Sequence, residues 1–240
     1  MKTKLLIICG TVALAVASAH AGLQIINGNF QNNAPTPGNT YQVDSWFNSL
    51  PDATGQANNY WWEGTWYGSN PTPGQDGTSV MGLGYFFGPN WGYQSIGVND
   101  GALSSITIQF DVGSFSDAGS NLRNMGITVG LYQSSSFVGA YGTDVAGAAG
   151  VNLIDTVSLS TGYLSVNQVV SESATLNLAA ANSTDPLYLR FVNFSPDGSL
   201  PNTGTAPWAA IDNVQIVPEP ATFALIGLGG LVVLLRRRSA

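Results

Sequence analysis

Ser105-Ile106-Thr107-Ile108-Gln109-Phe110-Asp111-Val112 alternates apolar and polar side chains at every step after the opening serine. Successive side chains of a β-strand point to opposite faces of its sheet, so this stretch predicts a strand with one buried face. The same period of two returns at 125–131 and at 187–191. Because no helical period appears between these stretches, they predict an all-β fold.

Further short stretches of strand character are spread over the rest of the chain. Turn-forming clusters such as Pro35–Gly38 and Ser195–Gly198 separate them, and Ala140–Gly150 predicts a flexible loop within the domain. About ten to twelve short strands with frequent turns are typical of a two-sheet jelly-roll sandwich. The additional strand candidates are 23–27, 41–47, 60–67, 78–86, 92–98, 151–160, 164–170, 173–178 and 207–217.

The charge of the body excludes several classes of function. Residues 22–217 carry thirteen acids but only two bases, Arg123 and Arg190, a net charge of −11. Such a surface repels phosphates, so no nucleic-acid partner is expected. The single cysteine, Cys9, and the single histidine, His20, both precede this body. Without them, Ser-His-Asp and Cys-His catalysis and the usual zinc sites are excluded, and we expect no enzyme.

The N-terminus has the form of a cleavable secretory signal over residues 1–21. Two lysines precede the apolar run Leu5–Val16, and Ala19 and Ala21 flank His20 at the cleavage site. The run is shorter than the roughly 20 apolar residues that a spanning helix needs. It therefore predicts export by the Sec machinery and removal by signal peptidase.

The C-terminus combines a break, an apolar run and a basic cluster. Val217-Pro218-Glu219-Pro220 cannot continue a regular element, and the uncharged segment 221–235 then leads to Arg236-Arg237-Arg238. As a helix this segment rises about 22 Å, short of the roughly 30 Å hydrocarbon core. Arginines favour the cytoplasmic side of a membrane, which places the body outside.

This C-terminal order over residues 217–240 resembles the PEP-CTERM sorting signal. The resemblance implies recognition by an exosortase, a membrane transpeptidase-like enzyme that removes the tail, and a Gram-negative host that makes extracellular polysaccharide. The protein would then cross the inner membrane, be anchored there transiently by its hydrophobic helix, and end at the cell surface or outside the cell. The alternative is an ordinary tail anchor.

A second resemblance covers most of the predicted ectodomain, residues 22–216. Leu23–Phe30 is followed by Trp46, then by Asp76-Gly77-Thr78 and Gln94-Ser95-Ile96, and the last strand reads Ala210–Val214. This order resembles galactose-binding-like jelly rolls, the fold of many carbohydrate-binding modules. It implies the fold more strongly than sugar binding, because one fold hosts many functions.

The same resemblance implies a structural Ca²⁺ site, the only cofactor we expect. Relatives of this fold often hold calcium with an acid of the last strand and with the first strand, positions that match Asp212 and Asn29. Asp212 alternates with Val214 and Ile216, so we expect its carboxylate to be buried if these residues face the core. The alternative is a carboxylate that accepts hydrogen bonds from backbone amides.

An aromatic cluster at Tyr60–Tyr67 is the candidate ligand-binding surface. It contains Trp61, Trp62, Glu63 and Trp66. In a strand Trp61 and Trp62 point to opposite faces, so at least one is expected to leave the core, where an indole can stack on a sugar ring. The alternative is an aromatic-rich core.

Three functions follow from the sequence. The first is a non-catalytic surface or extracellular-matrix protein that is sorted by an exosortase and associated with exopolysaccharide. The second is a carbohydrate-binding module or lectin of the cell surface. The third is a glycan-acting enzyme that uses carboxylates only, with Glu63 paired with Asp76 or Asp52.

Overall fold

A computed structural model describes the central part of the chain and omits both terminal signals. Ala19, Ala21, Trp66 and residues 218–240 lie outside the described residues, and several residues of the short strands are described by their backbone alone. Within the described part, no helix is long and apolar enough to cross a bilayer. The described residues are 22–30, 39–40, 45–48, 59–63, 79–83, 91–100, 103–115, 123–140, 142–164, 168–194, 196 and 208–217.

The described residues form strands in two antiparallel sheets, as the alternation predicted. The six-stranded sheet has the order β1-β3-β4-β11-β6-β9, and the five-stranded sheet has the order β2-β5-β10-β7-β8. This is the predicted all-β, two-sheet sandwich. The strands are β1 (Asn39–Thr40), β2 (Phe47–Asn48), β3 (Asn59–Glu63), β4 (Ser79–Leu83), β5 (Trp91–Val98), β6 (Ser105–Phe115), β7 (Arg123–Gln133), β8 (Asn152–Leu164), β9 (Val169–Asn177), β10 (Pro186–Phe194) and β11 (Trp208–Val217).

The core lies between the two sheets and is built from the apolar half of each alternating strand. Phe110 of β6 meets Phe191 of β10 with ring centroids 5.1 Å apart. Trp46, fully buried, fills the same layer between Phe30 and Phe191. Aromatic rings therefore bridge the sheets at the centre, and the strands of both sheets pack around them.

Two predicted boundaries differ from the structure. The candidate 151–160 extends further, because β8 runs on to Leu164, while β9 (Val169–Asn177) contains the end of the candidate 164–170 and most of 173–178. Gly162 has a φ of +69° near a register shift between Asn124 and Gly126 of β7, so a bulge lets the strand continue where the sequence indicates a break. The candidate 23–27 forms one bridge, between Leu23 and Gly97, instead of a full strand.

The N-terminal segment, residues 22–30, connects the two sheets along one side of the sandwich. Gln24 N donates to Ile96 O of the five-stranded sheet at 2.9 Å. Further along, Val214 N of the six-stranded sheet donates to Gly28 O at 2.9 Å. Between these two contacts, the Gln94 amide exchanges hydrogen bonds with the Ile26 backbone at 2.8 and 2.7 Å. This arrangement fixes residues 27–29 beside β11.

Candidate functional site

The outer side of the six-stranded sheet carries a depression of about 540 Å³, here called the polar hollow. The N-terminal segment forms one wall, and β6, β9 and β11 form the floor. Its lining residues are Asn27, Gly28, Asn29, Gln109, Asp111, Ser171, Asn213, Val214 and Gln215.

A β-bulge in β11 shapes the hollow. Asp212 pairs with Asp111 and Gln215 pairs with Gln109, so β11 has one extra residue between these pairs. Asn213 lies at the bulge with a φ of +50°, a conformation that asparagine tolerates better than most residues. The bulge therefore turns the Asn213 side chain towards β6 and opens the space that the N-terminal segment borders.

The bulge also corrects the expectation for Asp212. Ile211 pairs with Val112 and Ile216 pairs with Ile108, both on the core face. Because the extra residue changes the alternation, Asp212 does not share a face with Val214 and Ile216, and that prediction was wrong. Asp212 is nevertheless fully buried, as expected. It lies opposite Asp111 on the side of the sheet where the N-terminal segment passes.

Asp111 is the buried charge of the hollow. Its side chain is 6% exposed, and it accepts hydrogen bonds from Ser171 Oγ at 2.5 Å and from Asn213 Nδ2 at 2.9 Å. Burial raises the pKa of Asp111, and the bond from Ser171 offsets part of that rise. Asp111 is the one acid among the described lining residues of the hollow, and its cross-strand neighbour is Asp212.

The described geometry around Asp212 resembles the hydrogen-bonded alternative more than a calcium cage. Calcium takes six to eight oxygen ligands. Asp212 Oδ1 accepts from Asn213 N at 2.7 Å, and both Asp111 oxygens accept from side-chain donors. Asn29 lines the hollow but Asp212 does not. Within the described ranges, no three His, Cys, Asp or Glu residues are grouped to hold a metal. The calcium site at Asp212 and Asn29 stays a prediction.

The first part of the predicted aromatic cluster, residues 60–63, lies on β3, whose backbone alone is described. Trp61 is paired with the buried Met81, and Trp62 is paired with Val80. The two tryptophans therefore occupy positions that belong to opposite faces of the sheet, as the sequence indicated. Glu63 is paired with Ser79. Trp66, Asp52 and Asp76 lie outside the described residues, so the stacking surface and the carboxylate pair stay predictions.

A second set of aromatic residues, on the outer side of the five-stranded sheet, is covered. Trp91, Tyr93 and Tyr188 lie under the segment 134–150, here called the strap. Tyr188 Oη donates to Phe137 O at 2.7 Å, and Tyr93 Oη donates to Ala140 O at 3.1 Å. These three side chains are at most 8% exposed, so they form a packed cluster and not an open platform.

An ion pair holds the strap in place. Asp144, which caps a single 3₁₀ turn at Val145–Gly147, accepts two hydrogen bonds from the Arg190 guanidinium at 2.7 and 2.6 Å. Val145 beside it is fully buried. The Gly- and Ala-rich composition predicted a flexible loop at 140–150, but the structure packs this segment onto the sheet. The sequence gives no local signal for this packing, because Asp144 and Arg190 are 46 positions apart.

Most residues of the hollow were not singled out by sequence. Gln109, Asp111 and Ser171 belong to the polar half of alternating strands, which the sequence marks as solvent-facing. Only the Asp212-Asn213 pair inside an apolar strand pattern signals an interruption that a bulge explains. Asn29, predicted as a metal ligand, is the one candidate that the structure does bring to the hollow.

Comparison with known families identifies the C-terminal signal. Residues 217–238 match the PEP-CTERM protein-sorting motif. The chain therefore carries this motif, as predicted, and the motif marks an exported protein that is processed by an exosortase. No curated protein matches the chain.

Solved structures with a similar sandwich include carbohydrate-binding modules. The CBM22-1–GH10 modules of Clostridium thermocellum xylanase 10B give a TM-score of 0.42 at 13% identity, over 83% of this chain and 29% of that chain. The CBM22-2 xylan-binding domain of Paenibacillus barcinonensis Xyn10C gives 0.41 at 15% identity, over 75% and 94%. The K1 adhesin domain of Porphyromonas gingivalis Lys-gingipain gives 0.37 at 17% identity, over 74% and 92%. These TM-scores carry no information about the ligand of this chain.

Proposed function

We propose that this protein is a non-catalytic surface or extracellular-matrix protein that an exosortase sorts and that associates with exopolysaccharide. The observation that carries the proposal is the position of the sorting motif. It begins at Val217, the last residue of β11, so the folded body leads directly into the signal. The folded body is thus the part of the protein that the sorting signal directs to the surface.

The route to the surface is part of the proposal. The signal at residues 1–21 directs the chain through the Sec machinery of a Gram-negative inner membrane, and signal peptidase cuts after Ala21. The apolar segment 221–235 then holds the protein in the membrane until an exosortase removes it. The absence of histidine and cysteine from the body supports a role without nucleophilic catalysis.

Intact mass of the protein recovered from cells tests the sorting step. With the host exosortase present, we expect a mature form that begins at Gly22 and lacks Arg236–Arg238. Without the exosortase, we expect the basic cluster to be retained. If the cluster persisted in both strains, exosortase processing would be ruled out.

A cell-surface lectin or carbohydrate-binding module is the second candidate, and the polar hollow favours it. A concave surface lined by five carboxamides, a serine and one acid, Asp111, suits sugar hydroxyls. Polysaccharide pull-down of the secreted body tests this function. We expect retention on the polysaccharide of the host, and loss of retention in Trp61→Ala or Trp62→Ala would place the site on β3, as the sequence predicted.

A structural calcium ion at Asp212 and Asn29 completes the proposal. Added calcium should raise the Tm of the chelator-treated body, and Asp212→Asn should abolish the rise. Asp185→Asn, a change of an acid remote from the hollow, serves as the control. A Tm that is unchanged by calcium would contradict the calcium site and support the alternative, in which Asp212 only accepts hydrogen bonds within the protein.

A further inference from the structure

We infer that the polar hollow binds a neutral sugar residue through its hydroxyl groups and rejects acidic sugars. This inference rests on the proposed association with polysaccharide and names the class of sugar. It also places the site at the N-terminal segment and β6, β9 and β11, away from the tryptophans of β3.

The chemistry of the lining carries the first half of the inference. Five of the lining side chains are carboxamides, and each presents one acceptor oxygen and one NH₂ with two donors. A sugar hydroxyl is likewise both donor and acceptor, so neighbouring carboxamides can bond it in either sense. The five carboxamides are Asn27, Asn29, Gln109, Asn213 and Gln215.

The floor of the hollow is held in place before any ligand arrives. Gln215 Nε2 donates to Gln109 Oε1 at 3.3 Å, and Asn213 is held by Asp111. The Gly28 backbone, hydrogen-bonded to Val214, fixes the opposite wall. Side chains that are already ordered lose less conformational entropy on binding, so this arrangement favours recognition of a small polar ligand.

Charge carries the second half of the inference. No lining residue is cationic, and Asp111 lies opposite Asp212 beneath the carboxamides. Arg190 is on the other sheet, where Asp144 engages its guanidinium. A uronate carboxylate in the hollow would therefore meet negative charge with no cation to pair with, and both its desolvation and the repulsion oppose binding.

Direct binding measurements on the secreted body test the inference. Calorimetric titrations would use neutral fragments of dextran, galactomannan and arabinoxylan, and acidic fragments of alginate and polygalacturonate. We expect at least one neutral fragment to bind at least about tenfold more tightly than either acidic one. Asn29→Ala and Gln109→Ala should each weaken neutral binding about tenfold.

Two further variants give the experiment its controls. Thr128→Ala, on the outer side of the other sheet, should leave binding unchanged. Asp111→Asn removes a negative charge but keeps the shape of the side chain. The ratio between the affinities for neutral and acidic fragments should therefore become smaller. Circular dichroism confirms that each variant is folded.

The outcomes separate this inference from the proposed function. Neutral binding that is lost only in Trp61→Ala or Trp62→Ala would overturn the hollow as the site and leave the lectin function standing. Tighter binding of an acidic fragment would overturn the charge argument. Binding of no fragment would overturn both the inference and the sugar-binding function, while exosortase sorting would be judged by mass alone.

Discussion

Single residues in unusual backbone conformations shape the polar hollow. Asn27, in the wall of the hollow, and Asn213, in its floor, have φ values of +52° and +50°. Asparagine enters this left-handed region at a lower cost than most residues, since its short amide bonds locally. Between them, Gly28 lies so close to Val214 O that no side chain fits. The shape of the hollow thus depends on asparagine and glycine, which secondary-structure propensities associate only with turns.

Because Gly28 approaches β11 closely, we expect the addition of one methyl group at this position to lower the stability of the protein. A Cβ at Gly28 would overlap Val214 O, so Gly28→Ala must displace the N-terminal segment and should lower the free energy of unfolding by about 1–3 kcal/mol. Gly147→Ala is the matched control, because nothing lies within 4 Å of its Cβ position. Urea unfolding measures both. Equal stabilities of the two variants would contradict the packing at Val214.

The buried carboxyl of Asp111 predicts a pH dependence of stability. Its pKa in the folded protein is raised above the ordinary value of 3.8, so the folded state holds the proton more tightly than the unfolded chain does. The resulting stability is complete below about pH 3.8 and is lost as the pH rises through the raised pKa. Asp111→Asn does not titrate, so the stability of the wild type relative to this variant should be lower at pH 7 than at pH 3.5.

Ser171→Ala provides the paired measurement for that pH dependence. Ser171 Oγ donates to Asp111 and lowers its pKa, so the loss of this bond should raise the pKa further. The fall in stability between the two pH values should then be larger. Urea midpoints at the two pH values give the comparison. If the wild type and Asp111→Asn had parallel pH profiles, Asp111 would not be the titrating group.

At the scale of elements, the outer strand of the six-stranded sheet is protected by an inward-facing acid. Glu172 of β9 pairs with Phe110 of β6, on the core face, and burial raises its pKa. A half-buried charge on an edge strand disfavours pairing with a strand of another molecule. Glu172 therefore lowers the stability of the sandwich but protects the edge strand from association with other molecules.

Glu172→Val should raise the stability of the sandwich and remove the protection of its edge strand. We expect the free energy of unfolding to rise by about 1 kcal/mol, because an apolar side chain then joins the core, and we expect self-association to increase with concentration. Ser173→Val, on the exposed face of the same strand, is the control and should change stability less. Light scattering after size exclusion measures the association. A more stable variant that stays monomeric would show that the acid does not guard the edge.

The sequence predicts the strands far better than the hollow. Alternation is a local property, so β6, β7 and β10 are readable from a few residues each. The bulge in β11 needs the register against β6, a relation between residues about a hundred positions apart. The strap was misread for a similar reason: its order comes from Arg190, a distant partner, and not from its own composition.

At the scale of the whole molecule, both ends of the body lie at one end of the sandwich. Leu23 is bridged to Gly97 near the end of β5, and Val217 is paired with Thr107 near the start of β6. The short connection 99–104 joins those two strands. The predicted N-terminal signal and the sorting motif would therefore attach at neighbouring points of the sandwich.

This arrangement predicts how truncation divides the chain. A body of residues 22–217 should retain the stability of the longer chain to within about 0.5 kcal/mol, since it keeps every described strand. A body that stops at Ile211 should fail to fold, because β11 lies between β4 and β6 and its removal interrupts the sheet. Circular dichroism and thermal melts of the two forms give the comparison. If the first form unfolded, the tail would belong to the fold.

The central position of β11 has a mechanical consequence. The tail follows Val217, the last residue of the strand that lies between β4 and β6, and the interstrand bonds of an antiparallel sheet run perpendicular to the strands. A pull on the tail along β11 therefore shears those bonds together instead of unzipping them one by one. While the tail is attached, a load applied through it acts along the direction in which these bonds must break together.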